Sequence, residues 1–361
     1  MRPTRVSIDL NALRHNLQQV RRAAPGCRVM AAIKANGYGH GLIRVAHALD
    51  DSDGFGVACL DEALQLREAG ITAPITLLEG FFDPTEIPLI ERHRLELVLH
   101  HPEQIATLLQ TPLGGPLRVW LKIDSGMHRL GVSPEQAALY WQQLKAHPAL
   151  EAVGQMTHLA CADERDHPST WRQLERFAQA TGDLGGEKSI ANSAAILGWP
   201  TSHAEVVRPG IMLYGVSPFV HGRAADEQLR PVMGFHSALI AVKRMQKGDA
   251  IGYGDTWVCP EEMPVGVVAA GYGDGYPRHA VSGTPVLVNG KRVPLIGRVS
   301  MDMLTVDLRS QPDARIGDPV LLWGSGLPVE EVAESAGTIG YELLCSVTPR
   351  VRVEVTTKTT I

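Results

Sequence analysis

The sequence predicts a (β/α)8 TIM barrel followed by a smaller, mainly-β domain. Three observations carry this. The chain has 361 residues, more than one ordinary domain needs. Its first ~210 residues repeat one theme eight times: a short apolar run, a polar turn, and an amphipathic stretch. From Val232 onward helical periodicity largely disappears, and short β-branched or alternating runs are bounded by Gly, Pro, Asn and Asp. The division falls between residues 1–225 and 226–361, with residues 1–10 expected to pair with the second domain. Strand-helix units of roughly 25–30 residues fit a closed parallel barrel; an open doubly wound sheet is the rival that counting alone leaves.

In chain order, Val6–Leu10 alternates weakly and reads as a strand. Asn11 is the expected cap of a helix through Ala23, ended by Pro25-Gly26. Barrel strands are expected at Val29–Lys34, Gly54–Cys59, Ile75–Leu78, Glu96–Leu99, Leu117–Ile123, Ala152–His158, Lys188–Ala191 and Glu205–Arg208. Helices are expected at Leu42–Leu49, from Leu60 or Asp61 to Ala69, and at Thr85–Glu91, Pro102–Leu109, Pro134–Ala146, Ser169–Ala180 and Ser193–Leu197. Gly222–Arg230 reads as a linker. Beyond it, strands are expected at Val265–Ala270, Pro285–Val288, Leu304–Asp307 and Val351–Val355, with one helix at Pro328–Gly337. The terminal Thr/Lys run is the one compositionally biased segment.

Composition narrows the function. The formal net charge is -5, with no Lys/Arg stripe, so a nucleic-acid partner is not expected. The five cysteines are widely spaced and form no CxxC pair, which suits a reducing compartment. No signal peptide or membrane span is read, so a cytoplasmic location is expected. There is no HExxH and no tight Cys/His cluster, so no metal is expected.

Lys34 closes the apolar run Met30–Ile33 and precedes three glycines within five residues. That is the C-terminal mouth of a barrel strand, where barrel enzymes keep their sites. A lysine whose amine is kept neutral there can bond a carbonyl carbon. Taken alone, it is equally a strand-end lysine reaching solvent. The glycine loop lacks both the GK[ST] of a phosphate-binding loop and the spacing of a dinucleotide fingerprint.

Several separated motifs resemble one family. They are AAIKANGYGHG (Ala31–Gly41), KIDSGMHRLG (Lys122–Gly131), THLACAD (Thr157–Asp163), ANSAA (Ala191–Ala195) and VRPGIMLYG (Val207–Gly215). IGYGDTW (Ile251–Trp257), AAGYGDGYPR (Ala269–Arg278), GRVSMD (Gly297–Asp302) and GYELLC (Gly340–Cys345) follow in order. The set resembles bacterial alanine racemase over nearly the whole chain. The resemblance implies a pyridoxal 5'-phosphate enzyme that interconverts L- and D-alanine. It also implies a homodimer with active sites shared between subunits, supplying D-alanine for peptidoglycan or L-alanine for catabolism.

It further implies roles, residue by residue. Lys34 would hold the cofactor and exchange the α proton with D-alanine, and Tyr253 with L-alanine. Arg208 would face the pyridine nitrogen, and His158 would link it to the catalytic tyrosine. Tyr38, Asn192, Ser193, Gly210, Ile211 and Tyr341 would hold the phosphate. For Asn192, Ser193, Gly210 and Ile211 the fold argues the same, because the loops after barrel strands seven and eight bind phosphate in many barrels. Arg129 and the Met301 backbone would take the substrate carboxylate, beside Asp302. Tyr272 would line a narrow entrance, and Lys122 would be carbamylated and hold Arg129. The enzyme rivals are a broad-specificity amino-acid racemase and a barrel-type decarboxylase; the latter would carry an acid in place of Arg208. A non-catalytic pyridoxal-phosphate binding protein would resemble the first domain alone.

Overall fold

A computed structural model describes residues 2–356; the terminal Thr/Lys run beyond Thr356 lies outside them. Two compact units are present. One comprises the first fifteen residues, Tyr214–Ser217 and the chain from Gly222 onward; the other is Asn16–Leu213 with Pro218–His221.

Strand β1 (Arg5–Asp9) opens the chain, followed by the helix Leu10–Ala23. Asp9, not Asn11, caps this helix: its Oδ1 accepts the N–H groups of Asn11 and Ala12 at 2.8 and 3.1 Å. The carboxylate satisfies two donors that a helix start leaves unpaired.

The larger unit holds eight parallel strands. They are β2 (Arg28–Ala32), β3 (Gly54–Val57), β4 (Ile75–Leu77), β5 (Glu96–Leu99), β6 (Leu117–Lys122), β7 (Leu150–Met156), β8 (Glu187–Ser189) and β9 (Val206–Val207). Their spatial order is β8-β7-β6-β5-β4-β3-β2-β9. The ends meet: Arg208 N–H donates to the Ala191 carbonyl at 2.9 Å, and Asn192 and Arg208 form a parallel bridge. The sheet therefore closes, as the barrel reading expects. Met30, Val98, Trp120, Val153, Met156 and Val206 pack together inside it. Residues 84–92 form a single 3-10 turn leading into the helix Ile87–Arg92.

The second unit is a mixed sheet. Its further strands are β10 (Met233–Met245), β11 (Met263–Val268), β12 (Pro285–Val288), β13 (Lys291–Pro294), β14 (Leu304–Asp307), β15 (Pro319–Trp323) and β16 (Arg352–Thr356). The order is β13-β12-β15-β10-β1-β16, with β11 bridging β10 to β14. β1 pairs antiparallel with β10 and parallel with β16. Phe235 meets Trp323 edge-on at 4.6 Å, and Tyr276 stacks on Trp323 at 6.1 Å. Among the described residues two α-helices follow β15 rather than one, Val329–Ser335 and Gly340–Cys345. Gly222–Arg230 is not a free linker. Arg223 pairs with Glu334 through two 2.7 Å bonds, and Ala224 N–H donates to Glu330 at 3.0 Å.

Candidate active site

β2 ends at Ala32, and Lys34 begins the turn that follows it. Ala35, Asn36, Gly37 and Tyr38 then take φ values of 54°, 54°, 60° and 50°. This is one turn of left-handed helix, closed by Gly37 N–H to Ile33 at 2.8 Å and Gly39 N–H to Ala35 at 3.0 Å. Such backbone costs on the order of 1–2 kcal/mol for each non-glycine residue, so other groups must hold it. Asn36 Oδ1 accepts Leu42 N–H at 2.9 Å, and Glu62 Oε1 accepts Ala35 N–H at 2.7 Å. His40 Nδ1 lies 2.8 Å from the Tyr38 carbonyl. Burial pushes His40 down to about 4, so it is neutral near pH 7 and Nδ1–H donates to that carbonyl. The turn thus presents Lys34 at the strand end and Tyr38 one turn on. A Cβ on Gly210 would lie 2.5 Å from Tyr38 Oη, so a side chain at position 210 would displace the tyrosine hydroxyl.

Beside this turn lies a group of cations. Lys122, last residue of β6, is buried, and its pKa falls to about 8. Burial is the main cause, followed by the charges of Arg208, Arg129 and Lys34; Glu79 opposes them. Arg208 is buried at 7% exposure, and its pKa falls to about 10 for want of water. Its guanidinium donates to Ser189 Oγ and the Thr157 carbonyl, both at 2.5 Å, and to the Ile190 carbonyl at 3.3 Å. It also faces His158 Nδ1 at 3.5 Å. Every one of these partners is neutral. Burial and the same four cations hold His158 well below its usual pKa, so it is neutral and its Nδ1 can accept. Lys122, Arg129, Thr157 and His158 line one cavity.

The loops after β8 and β9 are tied together by Ser193. Its Oγ accepts Gly210 N–H at 2.8 Å and Met212 N–H at 3.4 Å, leaving its own proton to donate. Asn192 Oδ1 caps the helix Ser193–Gly198 through Ala195 N–H at 3.1 Å. Ile211 is fully buried.

The remaining candidates belong to the second unit. Tyr253, Tyr272 and Met301 are 68%, 38% and 53% exposed. Asp302 is bonded to Arg350 at 2.6 Å. Tyr341 is the second residue of the helix Gly340–Cys345. The sequence reading missed Ser189 and Thr157, which hold Arg208, and Glu62, which holds the Lys34 turn. Glu62 carries a legible signal only as an acid in the first turn of a helix. Among the described residues there is no group of three metal-ligating side chains, and no helix is long and apolar enough to cross a membrane.

The chain is similar to known proteins over both domains. The profile of the alanine racemase N-terminal domain matches residues 8–218, and that of the C-terminal domain matches residues 232–355. An alanine racemase of Nitrosococcus oceani is 55% identical over 345 residues, covering 95% of this chain and 97% of that protein. One from Coxiella burnetii is 52% identical over 352 residues, covering 96% and 97%. The crystal structure of the biosynthetic alanine racemase of Pseudomonas aeruginosa is similar with a TM-score of 0.97 at 49% identity, covering 99% of this chain and 100% of that one. Over both domains and nearly its full length, the chain belongs to the alanine racemase family.

Proposed function

We propose that this chain interconverts L- and D-alanine with pyridoxal 5'-phosphate, as a homodimer in which the β-rich unit of one copy completes the barrel site of the other. The observation that carries this is the buried group of cations around Lys122 and Arg208, in which the Arg208 guanidinium is bonded to neutral partners, in a chain of the alanine racemase family. A phosphorylated, phenol-bearing cofactor and an amino-acid carboxylate are the anions such a group suits. The Gly210 cradle beside Tyr38 Oη and the spare Ser193 hydroxyl proton also suit a phosphate. When bound, the cofactor supplies the electron sink that makes an amino acid's α proton removable.

Lys34 would hold the cofactor. Tyr38, Asn192, Ser193, Gly210, Ile211 and Tyr341 would hold its phosphate. The Asn192 carboxamide oxygen already caps a helix, so its backbone or its NH2 group would act. Arg208 would face the ring nitrogen. With a pKa near 10 it stays protonated at neutral pH and can only donate, so it leaves that nitrogen unprotonated. Lys34 Nζ takes the α proton of D-alanine, and Tyr253 Oη takes that of L-alanine. The group on the opposite face returns one proton, so none is gained or lost overall. His158 accepts from Arg208 at Nδ1, which leaves Nε2–H to orient the tyrosine.

Arg129 and the Met301 backbone would take the substrate carboxylate, with Asp302 beside them and Tyr272 at the entrance. At a pKa near 8, about a tenth of Lys122 is neutral at pH 7. That neutral amine can add carbon dioxide and release one proton, becoming an anionic partner for Arg129. Among the described residues none of the five cysteines is joined in a disulfide, which suits a reducing cytoplasm. Because the enantiomers are equally stable, the same catalyst serves D-alanine supply for peptidoglycan or L-alanine breakdown.

The test incubates the cofactor-loaded protein with L-alanine in deuterated water. D-alanine carrying deuterium at Cα is expected. Failure to form D-alanine, or D-alanine without the label, overturns the reading.

A further inference from the structure

Asp274 is a carboxylate at 1% exposure inside the second unit. Four donors converge on it. Arg2 gives two, Nη1 to Oδ1 at 3.0 Å and Nη2 to Oδ2 at 2.8 Å. Arg350 Nε donates to Oδ1 at 2.8 Å, and Gly271 N–H to Oδ2 at 3.0 Å. The two guanidiniums reach further. Arg350 Nη2 bonds Asp302 Oδ1 at 2.6 Å, and Arg2 Nη2 bonds the Asp302 carbonyl at 2.6 Å. Two cations and two carboxylates thus balance, with forked arginine geometry that a point charge cannot copy.

The backbone beneath is equally tied. Tyr272 N–H donates to the Ser300 carbonyl at 3.1 Å, and Gly273 N–H to the Met301 carbonyl at 2.8 Å. A Cβ on Gly271 would stand 2.2 Å from the Ser300 oxygen, so the two loops touch backbone to backbone. Thr348 Oγ1 bonds the Gly273 carbonyl at 2.8 Å. Segments near residues 2, 271–274, 300–302 and 348–350 meet at one buried acid. At this knot Tyr272 and Met301 are 38% and 53% exposed, beside the Asp302 carboxylate.

We propose that Asp274, Arg2 and Arg350 are positioning residues that fix Tyr272 and Met301, and so set how strongly the enzyme rejects amino acids larger than alanine. This rests on the reading of Tyr272 as entrance and Met301 as carboxylate contact. Rejection of a larger side chain works by wall stiffness, because added bulk alone is discriminated only about 10- to 200-fold. A wall held by loose loops yields to the extra atom; one clamped at both ends does not. Arg2 lies outside the reaction site, yet it carries half of the forked pairing.

The test compares holoenzymes of the wild type, Arg2→Lys, Arg2→Met and Asp274→Asn. KM and kcat are measured for L-alanine and for L-serine. In Arg2→Met the alanine-over-serine ratio of kcat/KM is expected to fall about 5- to 20-fold, with kcat for alanine within about 2-fold of wild type. Arg2→Lys falls between. A merely structural role lowers both substrates equally and leaves the ratio unchanged, which overturns the proposal. Amide exchange supplies a readout free of activity: in Arg2→Met the Tyr272 and Gly273 amides are expected to exchange at least about 5-fold faster, with or without cofactor. Unchanged exchange also overturns it. If Asp274→Asn does not fold, the Arg2 variants decide alone. A wild-type protein that does not racemise alanine instead overturns the reading of the site, a result distinct from an unmoved ratio.

Discussion

Arg208 in the barrel and Arg350 in the β-rich unit are both arginines with several partners, but the partners differ in kind. Arg208 is bonded to a hydroxyl, two carbonyls and an imidazole. Arg350 is bonded to Asp274 and Asp302, which raise its pKa, whereas burial lowers that of Arg208. Neutral partners orient a guanidinium while leaving its charge unspent. Carboxylates spend the charge on the fold. The difference sets Arg208, whose charge no carboxylate bonds, apart from Arg350, whose charge is matched within the fold.

The largest effects should come from removing one proton-handling group on each side of the comparison. Lys34→Ala is expected to lower racemisation by about ten-thousand-fold or more and to leave no pyridoxal phosphate bound after gel filtration. Tyr253→Phe, in the other unit, should lose roughly hundred- to ten-thousand-fold in exchange from L-alanine yet retain the cofactor. Retention of cofactor by the first variant, or its loss by the second, breaks the assignment.

Next in size is a pH effect on the barrel. His40 titrates at about 4 in the fold against 6.5 for a free histidine, because burial disfavours its charge. Below pH 6.5 the unfolded chain binds a proton that the folded chain refuses. Stability therefore falls as pH drops from 6.5 to 4, by about 3 kcal/mol from this group, and is unaffected by it above 6.5. Urea unfolding of wild type and His40→Asn across that range checks this. The variant keeps a donor for the Tyr38 carbonyl and should lose part of the slope; His158, His100 and His236, whose pKa values burial also lowers, contribute to the remainder. An identical slope in both proteins counts against the buried neutral ring.

The contrast between unspent and spent charge has its own test. Pyridoxal phosphate at a hundred times its dissociation constant should stabilise the cofactor-free protein by about 2.7 kcal/mol. Arg208→Lys should bind it more weakly, whereas Arg350→Lys should keep its affinity. Equal weakening in both variants dissolves the distinction drawn here.

The barrel was legible because each strand is a short apolar run with its own turn, and the units recur along the chain. The closing strand was hardest to bound, since β9 has two residues. In the second unit, β10 was not legible: its burial alternates to Leu239 and then fails, where the register with β11 shifts. Gly222–Arg230 has the composition of a linker, but Glu330 and Glu334 pin it from more than 100 residues away. The Lys34 turn announced itself through glycines, yet Ala35, Asn36 and Tyr38 are the residues held left-handed around Gly37. Local residues Asn36 and His40 hold part of it, but Glu62 acts from 27 residues away, which no local pattern encodes. Arg2 and Asp274 are 272 positions apart.

Glu62 offers the finest test, since it acts on the strained turn from 27 residues away. Its two oxygens accept two backbone donors, Ala35 N–H at 2.7 Å and Ala58 N–H at 2.9 Å. In Glu62→Gln the single carboxamide oxygen can serve one of them, and the NH2 group faces the other donor to donor. An unmet buried N–H costs about 1–3 kcal/mol, less where water reaches it, as at this partly exposed site. The expected loss is therefore about 1 kcal/mol in unfolding free energy. Glu62→Asp should lose a similar amount, because the shorter side chain reaches only one donor. A turn that owed its left-handed form to its own sequence would tolerate both changes at wild-type denaturant midpoints. A shifted midpoint in both variants, with faster exchange of the Ala35 amide, identifies the carboxylate as what keeps Lys34 aimed.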